Sequence, residues 1–158
     1  METPKGVETP LIFFPIAQQV ERGAVNSNVT GSNPVREVMN ILFLDDDEFR
    51  WNKFCNQNPD VNATWVSSYD AAVGLLKTTD TSFDIAYLDH DLEFYQPTGM
   101  DFVKYLVNNK IKIDKVLCHS MNPEGRANMV AMLWGNGYNA LNMPWAWEYK
   151  VENVLQQF

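Results

Sequence analysis

From Asn40 onward, short apolar runs alternate with stretches of helical period. Ile41–Asp47 (ILFLDDD) begins apolar and ends acidic, the pattern of a strand buried on both faces. Glu48–Asn58 then reads as a helix, with Phe49, Phe54 and Cys55 near one face and Pro59 as a stop. Ala63–Val66 (ATWV) predicts a second strand. Ser68 predicts an N-cap for Tyr69–Lys77, where Ala71, Ala72, Leu75 and Leu76 recur at helical spacing. Phe83–Asp89 (FDIAYLD) predicts a third strand, and Met100–Asn109 a helix with Phe102, Val103, Leu106 and Val107 as its apolar stripe. Lys115–Ser120 (KVLCHS) predicts a fourth strand. Pro123 suits the first turn of a helix that buries Met129, Val130, Met132 and Leu133 and stops at Gly135 and Gly137. Tyr138–Leu141 (YNAL) reads as a short fifth strand, and Ala146–Phe158 as a closing helix.

Strands alternating with helices through short connections specify an α/β fold. The expectation is a five-stranded parallel sheet in the flavodoxin-like order 2-1-3-4-5, with helices on both faces. Ligands of such sheets sit beyond the carboxyl ends of the strands. The informative residues are therefore the last of each strand and the loop that follows.

Residues 1–38 carry neither period. Pro4, Pro10, Pro15 and Pro34 punctuate them, and Gly, Asn, Ser and Thr fill 23–33. The physical expectation is a disordered leader before a single domain over 39–158. The run Ile16–Gly23 (IAQQVERG) is compatible with codons that resemble the D-arm of a transfer-RNA gene, and Gly31–Val35 (GSNPV) with codons that resemble its T-arm. Their order fits one such gene. The expectation is a mis-called start, with the true one at Met39, in a compact genome such as a phage's.

The chain has 158 residues, enough to bury one core. Acids outnumber bases 20 to 12, for a net charge of -8. That balance excludes sequence-independent binding along a nucleic-acid backbone, which needs clustered Lys and Arg. It leaves room for a small phosphorylated ligand held locally. Cys55 and Cys118 form no CxxC and sit among apolar neighbours, as buried thiols in a reducing cytoplasm do. That is the host cytoplasm if the gene is a phage's. No apolar run approaches a membrane span of about 20 residues. Leu11–Ile16 (LIFFPI) is broken by Pro15 and lacks the flanks of a signal peptide.

The predicted strand ends gather an unusual set. The first ends in Asp45, Asp46 and Asp47; the third in Asp89, His90 and Asp91; the fourth in His119 and Ser120, with Asn122 and Arg126 close behind. A lone Asp after a strand is ordinarily a helix cap, a role open to Asp47 or Asp91. A lone His beside an apolar strand is ordinarily structural. Here both histidines of the chain fall on the same rim, which favours one site over two coincidences. Clustered carboxylates repel one another unless a cation is present. Oxygen ligands suit Mg²⁺, Ca²⁺ or Mn²⁺, and an added imidazole favours Mn²⁺. Asp45, Asp46, Asp89 and Asp91 are thus the candidate metal ligands, with Mg²⁺ or Mn²⁺ as cofactor. The fork of Arg126 matches phosphate oxygens, and the helix N-terminus beside Asn122 favours an anion.

These residues resemble those of known proteins. Asp45, Asp46 and Asp89 look like the acidic pocket of response-regulator receiver domains. In receivers that pocket holds Mg²⁺, and the third-strand Asp accepts a phosphoryl group. Ser120 falls where receivers carry Ser or Thr. Met143 stands before Pro144 where receivers have Lys, a departure that weighs against ordinary phosphorelay. A closer likeness is to the cyclic-phosphate processing receiver domain family, carried by ILFLDDDEFR, YLDHDL, the Gly of PTGMDF and CHSMNPEGRANM over roughly residues 39–144. The resemblance implies processing or sensing of cyclic-phosphate or cyclic ADP-ribose-like compounds.

Two functions follow as expectations. In the first, a metal-dependent phosphoesterase hydrolyses such a nucleotide. His90 and His119 act as general base and acid at pKa values near neutrality. Arg126 neutralises phosphoryl charge, and Ser120, Asn122 and Arg126 bind substrate. In the second, a non-enzymatic receiver-like module senses the nucleotide or accepts a phosphoryl group on Asp89. The partner in either case is a small nucleotide or cyclic phosphate, not a membrane. Trp134, Trp145 and Trp147 are ordinarily packing residues, but MPWAW (Met143–Trp147) adjoins the rim, so Trp145 is the first choice to stack on a base.

Overall fold

The computed structural model describes residues 38–92, 97–144 and 150–158. Its elements run β1 (Asn40–Leu44), α1 (Glu48–Gln57), β2 (Asn62–Val66), α2 (Tyr69–Thr78), β3 (Ile85–Leu88), α3 (Gly99–Asn108), β4 (Lys115–Cys118), α4 (Pro123–Gly135), β5 (Ala140–Asn142) and α5 (Val151–Leu155). The sheet is wholly parallel, in the order β2-β1-β3-β4-β5. The predicted architecture is the observed one. All of the predicted leader but Val38 lies outside the described residues, as do Trp145 and the start of the predicted closing helix. Among the described residues no helix is long and apolar enough to cross a membrane.

Alternation along each strand divides the core. Leu42 and Leu44, Ala86 and Leu88, and Val116 and Cys118 turn to an aliphatic layer beneath α2, α3 and α4. Ile41 and Phe43, Ile85 and Tyr87, and Leu117 turn to an aromatic layer with Trp51 and Phe54 of α1 and Val151 and Val154 of α5. Phe43 stands at its centre, its ring 4.9 Å from Phe54 and 5.5 Å from both Trp51 and Tyr87. Asn58 joins the two helices of this face. Its amide donates to Phe54 O at 2.9 Å, and its Oδ1 accepts the Val151 N–H at 2.7 Å.

Helix starts follow their caps. Asp47 accepts the Phe49 N–H at 2.8 Å, Ser68 the Ala71 N–H at 3.1 Å, and Asn122 the Gly125 N–H at 2.9 Å. At α3 the Asp101 carboxylate accepts from the Thr98 backbone at 2.8 Å. β5 begins later than predicted, at Ala140. The turn through Gly137, at φ 85°, uses the left-handed region. Tyr138 is then drawn away to give its hydroxyl to Leu106 O at 3.1 Å.

Candidate functional site

The strands end one residue before the acids and the imidazole, but the ladder continues. Asp45 N–H donates to Val66 O at 3.1 Å, Asp89 N–H to Leu44 O at 2.9 Å, and His119 N–H to Leu88 O at 2.9 Å. Leu44 faces Leu88, and Leu88 faces Cys118. Asp45, Asp89 and His119 therefore form one row across three neighbouring strands. Strand parity turns this row toward the aromatic layer, and the His119 ring lies 5.3 Å from that of Phe43 and 6.1 Å from that of Tyr87.

Asp45, Asp46 and Asp89 offer oxygens that all lie within 4.8 Å of one another. Asp45 and Asp89 are buried, whereas Asp46 is exposed. Burial pushes the Asp45 carboxyl up; the hydrogen bonds and charge of Arg50 and the Asp47 N–H pull it back, and Asp46 pushes it up again. Burial and then the Asp45 charge push Asp89 up to about 8, against Arg50 and the Ser120 hydroxyl that hydrogen-bonds it. A carboxyl raised this far, first by burial and then by like charge, calls for nearby positive charge and marks a candidate site.

Part of that charge comes from Arg50, which the sequence reading did not single out. Its Nε donates to Asp45 Oδ2 at 2.8 Å, and its Nη2 to Asp45 Oδ1 at 2.9 Å and Asp89 Oδ2 at 3.2 Å. Burial opposes its charge, but the carboxylates of Asp45, Asp89 and Asp47 outweigh it and raise the guanidinium pKa further. A signal was present. Arg50 is three residues past the Asp47 cap, so it sits in the first turn of the helix that follows the acids.

The histidines separate. His119 is 1% exposed, and its Nε2 lies 3.7 Å from Asp45 Oδ2. Burial, then the Arg50 charge, lowers its pKa to about 3. The expectation of titration near neutrality fails for this ring: it is neutral and enclosed. His90 lies on the rim, with Nδ1 2.7 Å from Asp91 Oδ1. Asn122 Nδ2 donates to the same Asp91 oxygen at 3.3 Å. Asp91 thus joins His90 and Asn122, outside the Asp45–Asp46–Asp89 group.

Two glycines let the helices close on this edge. A Cβ on Gly99 would lie 1.9 Å from Asp89 O, and one on Gly125 would lie 2.5 Å from the His90 ring. Gly99 N–H also donates to His90 O at 2.8 Å. The N-terminus of α3 is therefore clamped to the end of β3, and the first turn of α4 lies against His90. Ser120 is buried, and its Oγ accepts the Asn122 N–H at 3.1 Å. Arg126 is held at the β4–β5 edge. Its Nε donates to Asn142 Oδ1 at 2.6 Å and its Nη1 to Ser120 O. Met143 packs against the aromatic layer. Burial pushes Cys55 to about 11 and Cys118 to about 12, so neither is a thiolate at neutral pH.

The fold and the acidic edge define a receiver-like protein, and solved receiver domains share the architecture. The receiver domain of Francisella response regulator 1452 has a TM-score of 0.56 at 16% identity, covering 75% of this chain and 92% of that one. A CheY-like receiver domain from Methanospirillum hungatei has a TM-score of 0.57 at 10% identity, covering 77% and 90%. The non-phosphorylated HemR receiver domain of Leptospira biflexa has a TM-score of 0.55 at 16% identity, covering 75% and 90%. No curated protein matches the chain. The chain belongs to the cyclic-phosphate processing receiver domain family, whose model matches residues 40–135. That span holds every residue of the site described above except Asn142 and Met143.

Proposed function

We propose that this edge binds a divalent cation together with a cyclic phosphodiester of nucleotide or cyclic ADP-ribose type, and hydrolyses it. The observation that supports the reading is a juxtaposition. An oxygen-only group, Asp45, Asp46 and Asp89, shares a rim with a His90–Asp91 pair held by Asn122. Three carboxylates whose oxygens lie within 4.8 Å of one another fit a hard cation such as Mg²⁺ or Mn²⁺. Asp45, Asp46 and Asp89 would hold it. Held there, such an ion would supply Lewis acidity toward the phosphoryl oxygens and toward a bound water.

The chain's own groups carry the proton. Asp91 holds His90 through Nδ1, which leaves Nε2 to accept the proton of the attacking water and then deliver it to the leaving oxygen. The water oxygen forms a bond to phosphorus, one ester P–O bond breaks, and the ring of the cyclic ester opens. Asn122 and the Ser120 hydroxyl orient the phosphoryl group, with the N-terminus of α4 and Arg126 at its margin. His119, enclosed behind Asp45, is a positioning residue in this scheme. Trp145 keeps its proposed place as the stacking aromatic.

Incubation with cyclic nucleotides, nucleoside 2′,3′-cyclic phosphates and cyclic ADP-ribose, each with Mn²⁺ or Mg²⁺, tests this. We expect turnover of at least one, removed by chelation and reduced by His90→Ala. No turnover of any of them sinks the reading. A second reading, a non-enzymatic module that takes a phosphoryl group on Asp89, draws support from the Ser120 hydroxyl on that carboxyl and is weakened by Met143. Beryllofluoride or acetyl phosphate that leaves the amide NMR spectrum of the β3–α3 and β4–α4 loops unchanged excludes it.

A further inference from the structure

We propose that Arg50 and the divalent cation compete for the same oxygens of Asp45 and Asp89, and that the displaced guanidinium becomes a ligand of the substrate's phosphoryl group. This rests on the cation site proposed above and adds to it a specificity residue and an order of events.

Counting donors makes the competition concrete. Asp45 Oδ1 accepts both the Asp47 N–H at 2.8 Å and Arg50 Nη2 at 2.9 Å. Asp45 Oδ2 takes Arg50 Nε at 2.8 Å and faces His119 Nε2 at 3.7 Å. Asp89 Oδ2 takes Arg50 Nη2 at 3.2 Å. A carboxylate oxygen has two lone pairs, so Asp45 Oδ1 is full and an ion drawing on it must displace a donor, while at Asp45 Oδ2 and Asp89 Oδ2 the ion would sit beside the guanidinium. The Asp47 amide is backbone at the N-cap of α1, less free to move than a side chain. The guanidinium is the movable donor, and it is also the one that a doubly charged ion repels.

Its exit is marked. Arg50 stands in the first turn of α1, with its side chain 16% exposed, and its Nη1 lies 3.7 Å from Asp47 Oδ2, whose side chain is 41% exposed. Asp47 is a step from the inner carboxylates toward solvent. From there a planar fork of donors meets phosphoryl oxygens with the match that Arg makes and Lys does not. Arg126, tied to Asn142 and the Ser120 carbonyl, lacks that freedom. The cation that receivers carry after the fifth strand is Met143 here. The structure places positive charge on the acids from α1 instead.

Mn²⁺ binding by the full chain, read from the free-ion electron paramagnetic resonance signal without substrate, tests the competition. Arg50→Gln should bind Mn²⁺ about tenfold more tightly than the parent, since one charged hydrogen-bonded donor no longer has to be displaced. Arg50→Lys should fall between. Equal or weaker binding by a folded Arg50→Gln overturns the proposal. The Nε–H resonance of Arg50, identified by its absence from Arg50→Lys, should move on saturation with Mg²⁺; a fixed resonance also overturns it. With Mn²⁺ saturating, inorganic phosphate should bind Arg50→Gln more weakly than the parent, and unchanged affinity removes the second half. Failure of both proteins to bind Mn²⁺ would instead remove the cation site, and this inference with it. A parent that binds Mn²⁺ but turns over no ester leaves the competition standing and sinks the hydrolase alone.

Discussion

The candidate site has an inner half and an outer half, and they are built by opposite rules. Asp45, Asp89 and His119 are buried, fixed by the sheet ladder and backed by aromatic rings. His90, Asp91 and Asn122 hang on loops at the rim and hold one another. The inner half concentrates charge where burial is unfavourable, so its geometry is maintained against its own electrostatics. The outer half lies nearer solvent and costs the fold little. Stability and chemistry should therefore respond to different substitutions.

The sharpest break is His90→Ala. Turnover should fall by about 10²–10⁴, the range for loss of a general acid–base group. Stability should change by about 1 kcal/mol or less, because the ring lies on the rim. A large loss of thermal stability with kcat intact would erase the division. The mirror substitution is Phe43→Ala, beneath the inner half. It removes a fully buried ring and should destabilise by about 3–5 kcal/mol in a denaturant titration. Turnover of the fraction that remains folded should change far less.

Asp89→Asn sits between the two. Outer-shell partners of a metal are worth 10–100-fold, so removal of a direct carboxylate should weaken Mn²⁺ by about a hundredfold or more. The same change should stabilise the cation-free protein, by about 1–3 kcal/mol at alkaline pH, because it deletes a desolvated charge. A destabilised Asp89→Asn would contradict the account of the inner half.

Stability should also slope with pH. Asp89 is raised from 3.8 to about 8 in the folded chain. Between those values the folded state keeps a proton that the unfolded chain has lost. Its contribution is therefore complete below 3.8 and is lost as pH rises through about 8. The cation-free melting temperature should decline over that window, and Mg²⁺ should flatten the decline. A melting temperature that rises from pH 5 to 8 without cation would reverse the sign.

Much of this was legible in the residues. Buried parallel strands read as apolar runs, and the runs of β1, β3 and β4 stop at an acid or an imidazole, so strand ends and rim were found together. Asp45, Asp46 and Asp89 meet because the order β1-β3-β4 makes their strands neighbours. The burial of His119 was harder to see. It follows from parity, since His119 shares a sheet face with Leu117, as Asp45 does with Phe43, and that face is the aromatic one. Arg50 read as an ordinary polar position of α1; its role depends on the helix start, which the Asp47 cap fixes. Asp46 and Asp91 are alike in the sequence, two and three residues past a strand end. Only the loop paths part them, sending Asp46 to the acids and Asp91 to His90.

Behind the acids, the Trp65 indole N–H donates to the Asp45 carbonyl at 2.7 Å, and Trp65 stacks on Trp51 with ring centroids 5.7 Å apart. The backbone of a candidate ligand residue is thus wired to an emitting chromophore pair. A cation bound at the proposed site should alter the field on that pair, so the fluorescence of the unlabelled protein should report occupancy without a substrate.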